Sequence, residues 1–279
     1  MTPPRFPFAA GVRAVLFDAG NTLLWLDHAR IAAILAGRGV ATDETAVRRA
    51  ERAARPRLDP WLAGARRREG LDVARRYAEF VLEGLGAPPG GDTVRGHADA
   101  VLASWPSLWV RPPADARPTL ERLVTAGYRV GVVSNSNGTV GRLLDQAGLR
   151  DLLGCVVDSA LEGVEKPDPE IFRRGAERLG APPAACVYVG DFRSLDVLGA
   201  RSAGMEGVLL DPDGVWGAPG SAGGESGGGD AGAAVAAEDA EGAEDAQRAA
   251  SGVGPARSEG PEEFRAASLA EFAERLLGG

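Results

Sequence analysis

Five short apolar runs punctuate the chain, at residues 14–17, 130–133, 155–157, 187–189 and 208–210. Each is continuous rather than alternating, the pattern of a strand buried on both faces. Between the later runs, apolar positions recur at helical spacing. Residues 119–126 place Leu120, Leu123 and Val124 on one face, and residues 140–147 and 171–179 repeat the arrangement. Alternating strand and helix predicts an α/β protein with a parallel sheet covered by helices on both sides. Ligands of such sheets bind beyond the carboxyl ends of the strands, so the polar residues that end each strand become the candidates for chemistry.

The alternation breaks after the first strand. Residues 27–37, 43–55, 71–85 and 93–105 show helical patterns without strands, interrupted at Pro56 and at the Pro88-Pro89-Gly90-Gly91 cluster. An all-helical module over 26–112 is therefore expected, inserted into a core built from 1–25 and 113–211. Residues 212–266 are rich in Gly, Ala, Glu and Asp. Such a segment buries too little apolar surface to offset its ordering entropy, and is read as a disordered acidic insertion. At Ser268-Leu269-Ala270-Glu271 a capping-box pattern precedes an apolar face of Leu269, Phe272, Leu276 and Leu277. A last helix within 267–279 is expected to dock on the core.

Charge refines this picture. The formal net charge is −8, and residues 212–266 alone carry 11 Asp/Glu against 3 Arg, so the acidity belongs to that segment. No basic stripe interleaved with aromatics suggests nucleic acid. No apolar run approaches the roughly 20 residues of a membrane span. The first residues lack a basic region followed by an apolar stretch, so no secretory signal is expected. Cys155 and Cys186 sit in apolar runs and read as buried reduced thiols, which fits a cytoplasmic protein. The arginine run Arg66-Arg67-Arg68 reads as a solvated helix face. Of the 31 basic residues one alone is lysine, Lys166, in Glu165-Lys166-Pro167-Asp168-Pro169. A chain that uses arginine everywhere else keeps one compact ammonium, and the two cations are not interchangeable in a tight anionic site.

The strand ends supply the rest. The first run ends in Phe17-Asp18-Ala19-Gly20-Asn21-Thr22, the second in Ser134-Asn135, and the fourth in Gly190-Asp191 with Asp196 five residues on. A carboxylate can attack phosphorus, a divalent cation held by carboxylates can neutralise the non-bridging oxygens, and a hydroxyl with an ammonium can cradle the anion.

In this order the four motifs resemble those of the haloacid dehalogenase-like (HAD) hydrolase superfamily. The helical insertion between the first two is similar to the cap of its subfamily I. The resemblance spans about residues 12–211 and the last helix. It implies a Rossmann-like three-layer core and a magnesium-dependent hydrolase acting on a small phosphorylated metabolite through an aspartyl-phosphate. It also implies Asp18 as nucleophile, with Ser134 and Lys166 holding the phosphoryl group and Thr22 and Asn135 lining the substrate side. Asp18, the Gly20 carbonyl, Asp191 and Asp196 would serve the Mg2+.

One position departs from the family pattern. Phosphatases of the superfamily usually carry a second aspartate two residues after the nucleophile, as general acid and base, and here that residue is Gly20. General acid help is worth about 10²–10⁴-fold, so alkyl phosphates would suffer. Two alternatives stay open: a metal-independent 2-haloacid dehalogenase, with cap arginines such as Arg48 or Arg49 receiving halide, and a catalytically weak or non-enzymatic binding protein. The acidic residue Asp191 beside Asp18 argues for a cation and so against the dehalogenase. Phosphonate hydrolysis of the family type is excluded, because the cap has no lysine to form an imine. His28 is expected on a helix surface, although an imidazole there could supply the missing proton. His97 is expected to be structural or solvated, and Asp168 to be a turn residue.

Overall fold

The computed structural model describes residues 3–63, 70–217 and 263–278. Strand β1 (Ala14–Phe17) runs into a tight loop and then β2 (Trp25–Leu26). Four helices follow: α1 (His28–Ala36), α2 (Glu44–Ala63), α3 (Gly70–Gly84) and α4 (Asp92–Leu102). Strand β3 (Trp109–Arg111) returns antiparallel to β2, so the helical module leaves and rejoins the core through a two-strand stalk. The chain then alternates through α5 (Ala116–Thr125), β4 (Arg129–Ser134), α6 (Val140–Gln146) and β5 (Cys155–Asp158). A short α7 (Ser159–Glu162) and α8 (Pro169–Arg178) lead to β6 (Cys186–Gly190). Helix α9 (Gly199–Ser202), β7 (Glu206–Leu210), β8 (Phe264–Ala266) and α10 (Leu269–Leu277) complete the described chain.

All five expected strands form, in one sheet ordered β5-β4-β1-β6-β7-β8 with every pairing parallel. Strand β1 lies between β4 and β6, where the chain order reverses. Its side chains alternate between two cores. Val15 and Phe17 pack with Leu120, Leu123, Leu144 and Phe272 on one face, and Ala14 and Leu16 with Ile171, Phe172 and Ala200 on the other. This is the Rossmann-like three-layer arrangement. Helix α10 begins as expected, with Ser268 accepting from the Glu271 amide, and it buries Leu269, Phe272, Ala273 and Leu276. Burying each such leucine or phenylalanine contributes roughly 1.5–3 kcal/mol. The helical module has a separate core in which Leu35, Val47, Leu58 and Leu82 meet.

Two expectations are revised. Helix α2 does not stop at Pro56; it continues through Pro56 and Pro60 to Ala63. A proline forfeits one backbone hydrogen bond there, but Ala54 and Leu58 are buried on either side of it and hold the helix in place. Disorder across 212–266 is corrected at both ends. Asp211 accepts from the amides of Val215 and Trp216, and Trp216 is buried. Residues 264–266 form β8 on the edge of β7, with Phe264 against Phe6 and Phe8. Residues 218–262, and the arginine run at 66–68, lie outside the described residues. No helix among the described residues is long and apolar enough to cross a membrane, and both cysteines are buried free thiols.

Candidate active site

The loop after β1 is the floor of the site. Asp18 follows the last residue of β1, and its amide donates to Val189 O of β6 (2.8 Å). The chain then folds back, with the amides of Leu23 and Leu24 donating to Ala19 O and that of Asn21 to Leu24 O. Asn21 takes φ 51°, a left-handed conformation that asparagine tolerates better than most residues. Asp18 is thereby pinned, buried, at the carboxyl edge of the central strand.

Lys166 reaches it from the loop before α8. Its Nζ donates to Asp18 Oδ1 (2.6 Å), Asp196 Oδ1 (2.7 Å) and the Tyr188 hydroxyl (3.0 Å). All three ammonium protons are engaged, in directions that a planar guanidinium could not match. Tyr188 passes its own proton to Val133 O (2.7 Å). Burial alone would lower the Lys166 pKa, but Asp18 and then Asp196 outweigh it and hold the ammonium charged.

Asp191 follows β6, and the chain then winds through a π-helical turn, Arg193–Leu198, that carries Asp196 back over Gly190. A Cβ on Gly190 would sit 2.4 Å from the Asp196 carboxyl carbon, so only glycine permits this approach. Asp196 Oδ2 accepts from the Phe192 amide (2.9 Å), leaving both its oxygens committed. Asp191 is different. It is 1% exposed, and its Oδ2 has no hydrogen-bond partner, the nearest cation being Arg55 Nε at 3.7 Å. Its pKa is driven well above the usual carboxylate range, by burial first, against the pull of Arg55. Burial likewise raises Asp18, to about 6, with Lys166 opposing and Asp196 reinforcing.

Carboxylate oxygens of Asp18, Asp191 and Asp196 lie within 4.8 Å of one another. Lys166 bonds two of these three buried carboxylates, and the third, Asp191, has an oxygen without a hydrogen-bond partner and Arg55 at 3.7 Å. Buried charge of one sign is costly unless a counter-ion compensates it, and an all-oxygen set suits a hard divalent cation. The residues therefore fit a metal ion.

Ser134 closes β4 and is buried, in register with Asp158 of β5. Asp158 carries a role the sequence did not reveal: its carboxylate accepts from the amides of Gly138 and Ala160 and shapes the loop after Ser134. Asn135, expected on the substrate side, accepts from Lys166 N at its Oδ1 (2.7 Å) and donates from Nδ2 to Lys166 O (3.0 Å), so it fixes the lysine backbone. Thr22 is fully buried and its hydroxyl has no hydrogen-bond partner. Asp168 caps α8 through the Glu170 amide, as a turn residue would.

The roof comes from the helical module. Glu51, Arg55 and Asp59 lie on one face of α2, four residues apart. Arg55 grips Glu51 through Nε (2.8 Å) and Nη2 (2.9 Å), and Tyr77 donates to Glu51 while accepting from Asn21 Nδ2 (3.0 Å). Burial would raise the Glu51 pKa, but the Arg55 charge, the nearby His28 imidazole and the hydrogen bonds from Arg55 and Tyr77 bring it down to about 2. His28 is not on the surface. It is buried with Nε2 3.4 Å from Glu51 Oε2. Asp59 Oδ1 accepts from Ser194 N (2.8 Å) and Ser194 Oγ (2.7 Å), tying the roof to the turn after Asp191. His97 accepts from Arg38 at an exposed position. The four-residue spacing of Glu51, Arg55 and Asp59 was the available signal for this face, but it is masked by the many arginines around it.

The strand ends of one parallel sheet thus gather a pinned carboxylate, an ammonium and a cation-ready acidic cluster. The family model of the haloacid dehalogenase-like hydrolases matches residues 12–204, and the chain belongs to that family. A phosphatase of Mycobacterium tuberculosis is 40% identical over 102 residues, 36% of this chain and 46% of that protein. A glyceraldehyde 3-phosphate phosphatase of Methanopyrus kandleri is 36% identical over 133 residues, 47% of this chain and 56% of that protein. The chain thus spans about half the length of these curated relatives. The crystal structure of a HAD phosphatase from Thermococcus onnurineus shares the fold, with TM-score 0.51 and 22% identity over 96% of this chain and 99% of that one.

Proposed function

We propose that this protein is a magnesium-dependent phosphatase of small phosphorylated metabolites, working through an aspartyl-phosphate on Asp18. The carrying observation is Asp18 itself: buried, held by Lys166, and grouped with Asp191 and Asp196 in a cluster that is short of positive charge. The phosphatase names of the matched relatives support the same reading. On this reading residues 26–112 form the cap, and 1–25 with 113–211 and the last helix form the catalytic core.

Asp18 attacks phosphorus and takes up the phosphoryl group as an acyl phosphate, which water then hydrolyses. Lys166 holds Asp18 in place and faces the incoming charge, while Ser134 offers a hydroxyl to a phosphoryl oxygen. Asp18, Asp191 and the Gly20 carbonyl would hold Mg2+, which when bound neutralises the non-bridging oxygens. Asp196, with both oxygens engaged, positions Lys166 and the turn behind Asp191. The cap closes the site from water.

The test is release of phosphate from p-nitrophenyl phosphate, with and without magnesium. Turnover that needs magnesium and disappears in Asp18→Asn is expected; equal turnover by Asp18→Asn would sink the assignment. Chloride release from 2-chloropropionate without metal would instead establish the dehalogenase.

A further inference from the structure

Position 20 is not merely empty of an acid. A Cβ placed on Gly20 would lie 3.2 Å from Cζ3 and 3.4 Å from Cη2 of Trp109. The indole, delivered by the stalk strand β3, fills the space into which a side chain at this position would project. It continues an aromatic series: Trp109 meets Trp105 edge-on (5.5 Å, 85°), and Trp105 meets Tyr77 in the same way (6.0 Å, 81°). The wall beside the nucleophile loop is therefore aromatic carbon, with no titratable proton on either tryptophan.

Of the polar groups behind that wall, Tyr77 and Glu51 do not replace the acid. The Tyr77 proton is given to Glu51, while its oxygen accepts from Asn21. Glu51 is held ionised by Arg55, so it accepts protons rather than donating them. His28 lies against Glu51. The chain's one lysine is committed to Asp18 and Asp196.

We propose that this site acts on phosphate esters and anhydrides whose leaving oxygen is stable as an anion, namely aryl, enol and acyl phosphates, in preference to simple alkyl phosphates. The proposal rests on the phosphatase reading and names its substrate class. In the first step the bond from Asp18 oxygen to phosphorus forms as the bond from phosphorus to the leaving oxygen breaks, and that oxygen keeps the electron pair. An alkoxide is about as basic as hydroxide, whose conjugate acid has a pKa of about 15.7, and needs a proton as it leaves. A phenolate, at about 10, needs far less help, and a carboxylate, at about 4, needs none. In the second step water attacks phosphorus, the Asp18 carboxylate departs with the electron pair, and both water protons stay on the inorganic phosphate, released as dihydrogen phosphate. That leaving group is again a carboxylate, so neither half requires an acid at position 20. The aromatic wall gives a flat leaving group an apolar face to rest on.

The experiment is a leaving-group series with the wild-type protein and magnesium: substituted phenyl phosphates, acetyl phosphate and glycerol 3-phosphate, with kcat/KM plotted against leaving-group pKa. A steep continuous fall is expected, with the alkyl ester at least about 10²-fold below p-nitrophenyl phosphate. An alkyl ester within a few-fold of the aryl esters overturns the inference while leaving the phosphatase reading intact. No phosphate released from any member removes both. In Gly20→Asp with Trp109→Leu, which opens room for the carboxylate, a gain confined to the alkyl ester supports the inference, and an equal gain across the series overturns it. A steeper slope in His28→Gln would show that His28 delivers the proton, and would overturn it as well.

Discussion

Two buried polar clusters face each other across this site, and their charge balance is opposite in kind. On the sheet edge, the ammonium of Lys166 serves Asp18 and Asp196, while Asp191 has Arg55 no nearer than 3.7 Å and one oxygen without a hydrogen-bond partner. In the cap, Glu51 and Arg55 neutralise each other in a two-point pair, with Tyr77 donating to the same carboxylate. The first cluster is incomplete without a cation and is built to receive one. The second is paired internally and shapes the roof over the sheet edge. A cluster at a ligand-binding edge can tolerate unmet charge where a ligand supplies the balance; a cluster packed over that edge has to be self-sufficient whether or not the ligand is there.

The strongest way to break this contrast is Glu51→Gln. It takes away the carboxylate that Arg55 grips at two points and leaves Asp191, 3.7 Å away, as its one charged partner among the described residues; a loss of about 3–5 kcal/mol in urea unfolding is expected. Replacing the pair together, Glu51→Leu with Arg55→Met, should recover most of that loss; a double variant as unstable as the single would show that the cluster is not self-contained. The pH dependence has a definite sign. The carboxylate's pKa is depressed from 4.5 to about 2, so its stabilisation is present above about 4.5 and fades as pH falls toward 2. In Glu51→Gln that part of the acid sensitivity should disappear.

Lys166→Arg probes the core cluster. A planar fork cannot donate simultaneously to Asp18, Asp196 and Tyr188, so kcat on an aryl phosphate should fall about 10²–10³-fold while the fold survives. Activity within tenfold of wild type would show that charge alone suffices. The mildest test unties the two halves. Asp59→Ala removes the acceptor of two Ser194 hydrogen bonds, and about 1–2 kcal/mol of stability should go with it. KM should rise a few-fold with little change in kcat. A change in kcat alone would mean that Asp59 acts on the chemistry and not on closure.

Much of the core half was legible along the chain. Each strand is a continuous apolar run, and a polar residue that follows such a run directly can only emerge at the sheet edge, which is why Asp18, Ser134 and Asp191 were readable as neighbours. Lys166 stood out because every other basic residue is arginine. The cap was readable only as helices. Its chemistry sits on one face of α2 among many similar charges, and Pro56 suggested an earlier stop that would have left out Asp59.

The sequence by itself determined the sheet, the order of its polar ends and the inserted helical module, because these follow from local periodicity and from what ends each strand. Only the tertiary structure decided that Asn135 holds the Lys166 backbone, that His28 is buried, that residues 264–266 add a strand, and that Trp109 fills the space beside Gly20. Those facts depend on residues far apart in the chain meeting in space. Ser194 and Asp59 are 135 positions apart, and Lys166 and Asp18 are 148 apart. No local pattern encodes which of many equivalent side chains packing brings to such a meeting.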